Sequence, residues 1–130
     1  MNKTQIVLVM HGNLGQGMFE AASRFNRDAE KCVSVLGLAD DMSLNQLKSE
    51  FEKIIRANDN QILVMTDILA GSCTVAITQM MREYDFPLIT GTNLSMLLAA
   101  IENSTALETS DLESVGKDDI RLINRKVVGK

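Results

Sequence analysis

The chain has one histidine, His11, in the stretch Met10-His11-Gly12-Asn13-Leu14-Gly15-Gln16-Gly17-Met18, between an apolar run and three glycines. Glycine-rich turns between a strand and a helix bring backbone amides close to phosphates. The spacing here is G-x-x-G-x-G, which fits neither the dinucleotide fingerprint G-x-G-x-x-G nor the P-loop pattern G-x-x-x-x-G-K-[ST]. The histidine is therefore the residue that needs explaining. Asp67 ends a second apolar run, Gln61 to Thr66, and Gly71-Ser72-Cys73 follow it. An aspartate beside a histidine fixes the ring tautomer and favours positive charge on it, which suits an imidazole acting as nucleophile or base. Ser72 is expected to N-cap a helix whose amides and dipole end suit an anion such as a phosphoryl group. A plainer alternative is that His11 and Asp67 merely punctuate strand ends. Cys73 at a helix start opens another: a thiol enzyme with Cys73 as nucleophile and His11 as base.

These residues meet only if the elements around them place them together. Gln5 to Met10 and Gln61 to Thr66 read as strands covered on both faces, and 32–38 and 87–90 as two more. Between them lie helical patterns over 17–25, from Leu44 to Ala57 behind the capping box Ser43/Gln46, after Ser72, over 94–101 and around 111–115. Alternating strand and helix units imply a doubly wound, mainly parallel α/β sheet with helices on both faces. With strand order 2-1-3-4, the first and third strands are neighbours and His11 and Asp67 share the carboxyl edge, where such sheets bind ligands. The segment Ile120 to Val128, rich in basic residues, reads as a C-terminal antiparallel edge strand.

Composition narrows the function classes. At 130 residues and 45% hydrophobic content the chain fits a single domain, 1–130, with a sizeable core. Thirteen basic against 17 acidic residues, net charge −4, argue against nucleic acid and against a polybasic membrane anchor. No apolar run reaches the length of a membrane span and no signal-peptide layout precedes the first strand, so a cytoplasmic protein is expected. Two distant cysteines and a single histidine make no usual zinc ligand set, so no metal is expected.

The order of His11 after an apolar strand, Asp67 with Gly71-Ser72 behind it, and Gly91-Thr92-Asn93-Leu94-Ser95-Met96-Leu97 after the fourth strand resembles the enzyme IIA domain of the mannose-type sugar phosphotransferase system. The likeness runs from Ile6 to Val128. It implies that His11 accepts a phosphoryl group through Nε2 from the histidine-containing phosphocarrier HPr and passes it to a IIB component, which serves IIC and IID membrane components. Asp67 would orient the ring, Gly71 and Ser72 would bind the phosphoryl group, and no cofactor is needed. The resemblance also implies a homodimer in which the C-terminal strand is exchanged between subunits. The sequence departs from the family at Ala70, Cys73 and Ser95, where glycine, proline and proline are usual. Ala70 matters if its position needs a positive φ. Met18, Phe19, Met42 and Leu69 flank the site loops as candidates for an adaptable docking rim. A binding module that kept the fold without transfer is the remaining alternative.

Overall fold

In a computed structural model, which describes residues 4–103 and 109–124, four parallel strands form one sheet in the order β2-β1-β3-β4. They are β1 (Thr4–His11), β2 (Val33–Leu38), β3 (Gln61–Thr66) and β4 (Leu88–Ile89). Six helices connect and extend them: α1 (Leu14–Phe25), α2 (Ala29–Cys32), α3 (Leu44–Ala57), α4 (Ser72–Met80), α5 (Leu94–Glu102) and α6 (Thr109–Asp118). The strand order is the one the sequence predicts.

Period-two alternation along β1 divides the core. Ile6, Leu8 and Met10 face a cluster with Ala22, Leu97, Ala100, Ile101 and Leu112, while Val7 and Val9 face Leu47, Phe51, Ala76 and Ile77. One sheet face is thus covered by α1, α2, α5 and α6, the other by α3 and α4. Val7 and Val9 are among the largest fully buried side chains, and the β1 run is apolar throughout because both its faces are covered. On the α3 side Phe51 and Phe86 meet edge to face with centroids 5.3 Å apart, a geometry that adds to the area they bury.

Three boundaries differ from the sequence reading. Helix α1 begins at Leu14 rather than Gly17, because Gly15 is needed inside the helix: a Cβ there would press on Val35 Cγ1 at 3.1 Å. The first residue of the expected second strand, Cys32, instead ends the short helix α2, where its thiol donates to the Asp28 carbonyl. Over residues 120–124 the expected C-terminal edge strand is not formed. Ile120 closes a turn onto the Lys117 carbonyl, and residues 123–124 turn helical. The remainder of that predicted strand, 125–128, lies outside the described residues. No described helix is long and apolar enough to cross a membrane.

Candidate functional site

Strand β1 pairs with β3 in the register Val9 to Thr66, so both strands reach the same sheet edge and deliver His11 and Asp67 side by side. The Asp67 carboxylate is held by three N–H groups. Oδ2 accepts the His11 backbone N–H at 2.9 Å and pairs with the ring Nδ1 at 2.8 Å, while Oδ1 accepts the Ile68 backbone N–H at 3.0 Å. Burial pushes the Asp67 pKa up, but the hydrogen bonds from the His11 backbone and ring and from its own loop outweigh it, and the net shift is down. Asp67 is therefore ionised, and an ionised carboxylate only accepts, so Nδ1 carries the ring hydrogen and the Nε2 lone pair is left available. The two side chains differ in exposure: 45% for His11 against 9% for Asp67. A largely covered carboxylate thus holds an imidazole that faces solvent.

The turn beneath the ring depends on a glycine. Gly12 has φ +54°, a left-handed conformation that is costly for a residue with a Cβ, and its N–H donates to the Leu38 carbonyl at the end of β2. Gly71 contributes through close approach. A Cβ at Gly71 would sit 2.6 Å from Ile68 Cγ2 and 2.9 Å from His11 Cε1, so the start of α4 packs directly on the imidazole.

The loop between Asp67 and Gly71 is fastened from below by threonines. Thr74 Oγ1 lies 2.7 Å from the Ile68 carbonyl and 2.8 Å from Thr66 Oγ1, with Thr90 Oγ1 at 3.3 Å. Having one hydrogen, the Thr74 hydroxyl can give it to the carbonyl while accepting from Thr66. Thr92 closes the arrangement by donating its hydroxyl to the Thr66 carbonyl at 2.7 Å. Sequence reading passed over these four residues; the available signal was a set of threonines at the ends of β3 and β4 and in the first turn of α4.

Of the residues singled out from sequence, His11, Asp67, Gly71 and Cys73 come together, and Ser72 stands between the last two. Ser72 is not the N-cap: Gly71 occupies that position with extended backbone, and Ser72 is the exposed first residue of α4. Ala70 carries no strain, since no described residue other than glycine has a positive φ. Cys73 is fully buried, and burial first, with the Asp67 charge second, pushes its thiol up to about 11. A thiol held in that form is a poor nucleophile, which removes the physical basis of the thiol-enzyme alternative. In the segments that follow His11 and Asp67, Leu69 is 74% exposed, and two apolar residues not anticipated from sequence, Leu14 and Ile68, are both more than 45% exposed. Met18 lines an open apolar groove with Leu14, Ala21 and Leu94. Phe19 and Met42 are half-buried, each packed against one of the two cores.

The family model described as PTS system fructose IIA component matches residues 5–115. The chain belongs to this IIA family. Solved structures of similar shape carry IIA descriptions as well. The IIA chain is similar to phosphotransferase system component EIIA from Streptococcus agalactiae, at 22% identity and TM-score 0.86, covering 93% of this chain and 98% of that one. It is similar to the mannose/sorbose specific IIA subunit from Enterococcus faecalis, at 16% identity and TM-score 0.80, over 92% and 94% of the two chains. A third likeness is to the PTS IIA protein associated with the fucose utilization operon from Streptococcus pneumoniae, at 18% identity and TM-score 0.82, over 97% of each. No curated protein matches the chain. At these identities the solved structures speak for the shared fold, and the family match speaks for a component of the phosphotransferase system.

Proposed function

We propose that this IIA component is a phosphocarrier in which His11 Nε2 accepts a phosphoryl group from phosphorylated HPr and delivers it to a IIB component. The observation that carries the reading is the 2.8 Å contact between His11 Nδ1 and a largely covered, ionised Asp67 under a ring that faces solvent. Attack runs from the Nε2 lone pair to phosphorus, with the nitrogen–phosphorus bond to the donor histidine breaking in line. The accepting ring thereby gains positive charge, which the Asp67 carboxylate offsets. The protein supplies placement and a fixed field rather than an acid or base of its own. Gly71 packs against the ring, its amide given to the Ile68 carbonyl, so the phosphoryl ligands of this reading are Ser72 and the first-turn amides of α4 behind Gly71. Reversal of the same step transfers the group onward, and no cofactor enters it.

Leu14, Ile68 and Leu69, with Met18 in its groove and Phe19 and Met42 behind, form the rim that two successive protein partners would cover. Such apolar contacts suit alternating partners, since they adapt and release. A homodimer is part of the same reading: among the described residues β4 has no strand partner on its outer side, Ile120 lines a groove with Leu88 and Ile89, and Leu122 and Ile123 are exposed, apolar surface that a second subunit would cover. The proposal takes 1–130 as one domain in the cytoplasm, serving membrane components through IIB.

Incubation with phosphoenolpyruvate, enzyme I and HPr should label the protein on His11 with an acid-labile, base-stable phosphoryl group, and His11→Ala should take no label. Label that persists in His11→Ala, or none in the native chain, would exclude this assignment. The latter result would leave a binding module.

A further inference from the structure

Cys73 has no part in the transfer chemistry just described, yet its sulfur lies beside the two residues that do. One donor atom from each of His11, Asp67 and Cys73, a nitrogen, an oxygen and a sulfur, falls within 4.8 Å of the other two. Tetrahedral zinc has bonds of about 2.0–2.1 Å to nitrogen, 2.0–2.2 Å to oxygen and 2.3 Å to sulfur, which sets its ligand atoms roughly 3.3–3.6 Å apart. The Nδ1 to Oδ2 separation of 2.8 Å must open by about half an ångström, and the sulfur must close by up to about 1.5 Å to reach that geometry. Exposure is graded in the useful direction. Cys73 is fully buried, Asp67 largely covered and the imidazole half-exposed, so a fourth ligand would be a water from the side of the ring.

We propose that His11, Asp67 and Cys73 form a three-donor site for a borderline-soft divalent cation of the zinc class, and that its occupancy turns His11 off as a phosphoryl acceptor. The donor set makes the selection: one thiolate and one imidazole favour zinc or cobalt over magnesium and calcium, which require oxygen ligands. The cation takes the Nδ1 lone pair, so the hydrogen of the neutral ring moves from Nδ1 to Nε2. Cys73 gives its thiol proton to solvent and binds as thiolate, and Asp67, already ionised, contributes one oxygen. With a hydrogen on Nε2 the ring has no lone pair left to attack phosphorus. The site itself stands on the geometry; only its consequence for transfer rests on the phosphocarrier reading.

Cobalt(II) added to the native protein is the direct test. It should bind once per chain with a thiolate-to-cobalt charge-transfer band, be displaced by zinc, and lose the band in Cys73→Ala. His11→Ala should weaken binding at least tenfold. A band that survives Cys73→Ala, or no thiolate band in the native chain, overturns the site. Because Cys73 is buried, Cys32→Ala serves as a second variant: the band should remain, and its loss there would place the metal at Cys32 instead. With purified phospho-HPr as donor, zinc should lower the initial labelling rate at least tenfold in the native chain, and the with-to-without-zinc ratio should return towards one in Cys73→Ala. Equal rates with and without zinc in a native chain that shows the cobalt band would overturn the switching claim alone. A chain that binds cobalt as described but is never labelled would refute the phosphocarrier reading and leave the metal site intact.

Discussion

Helices α3 and α5 begin differently from α1 and α4. The first pair are closed by their own side chains: Ser43 accepts from the Gln46 N–H while Gln46 reaches back, and Asn93 does the same with Met96, whose sulfur receives the Asn93 N–H. The second pair, which start on either side of His11, have no side-chain cap at all, with Asn13 and Gly71 at the cap positions. Four N–H groups at a helix start lack intrahelical partners, and a missing cap costs about 1 kcal/mol. The contrast has a physical reading. At Ser43 and Asn93 a side chain takes up one of those donors, whereas at Asn13 and Gly71 none does, and at the start of α4, against the ring, the first-turn donors remain open to an anion. The region around His11 holds its shape instead through the Asp67 carboxylate and the threonines beneath it, which fix the loop without occupying its outward donors.

The largest effect should come from removing the carboxylate that lets the site do without caps. Asp67 uses both oxygens as acceptors for three N–H groups, and asparagine has only one oxygen. If the amide of Asp67→Asn puts its oxygen toward Ile68, its NH2 faces Nδ1 and the ring must carry its hydrogen on Nε2. In the other orientation two donors meet at Ile68. Phosphoryl labelling of His11 should fall by roughly 10²–10⁴, the range seen where an imidazole loses its orienting carboxylate, with circular dichroism unchanged. Normal labelling would reduce Asp67 to a strand end. The same carboxylate gives a pH signature. Its folded pKa is lowered, so its contribution to stability is complete above about pH 5, beyond the ordinary aspartate range, and is lost as pH falls through the lowered value. Acid unfolding profiles of native and Asp67→Asn protein should converge toward low pH and diverge above it.

Next in size is Gly71→Ala. The added Cβ meets both Ile68 and the imidazole at distances real side chains do not keep, so the ring or the loop has to move. A shift of a few tenths of an ångström in a group that must attack in line should slow labelling on the order of tenfold to a hundredfold, and stability should fall by about 1–3 kcal/mol. An alanine variant with native rate and native melting temperature would show that α4 does not brace the ring.

How much of this was legible beforehand follows the same division. The sheet order, α3 with its capping box and the meeting of His11 with Asp67 could be read from Ser43/Gln46 and from apolar runs ending in one polar residue, because those signals are local or periodic. The start of α1 was missed because Gly15 and Gly17 argue against helix by propensity, while packing against β2 requires a small residue at Gly15. Ser72 was misplaced by one residue because serine is the commoner cap; the Gly71 position is set by the imidazole it touches, a neighbour sixty residues away in the chain. Thr66, Thr74, Thr90 and Thr92 carry no periodic signature, and only the folded loop shows them as one network.

The smallest effect tests the other half of the comparison. Ser43→Ala removes the hydroxyl that accepts from the Gln46 N–H and leaves that donor to water. It should cost about 1 kcal/mol, which in a chain of this length lowers the melting temperature by about 4 °C. Helix α4 shares a core with α3, but the Ser43 cap closes on Gln46 within α3, and the hydrogen bonds that hold His11 run to Asp67. Labelling of His11 measured well below the transition should therefore stay within twofold of native. If the caps of α3 serve only the fold, stability and transfer separate in this variant, whereas both fall in Gly71→Ala. A Ser43→Ala protein that melts normally would show the hydroxyl replaced by solvent at no cost. One that loses transfer in proportion to stability would show that the capped and uncapped helix starts are not independent devices.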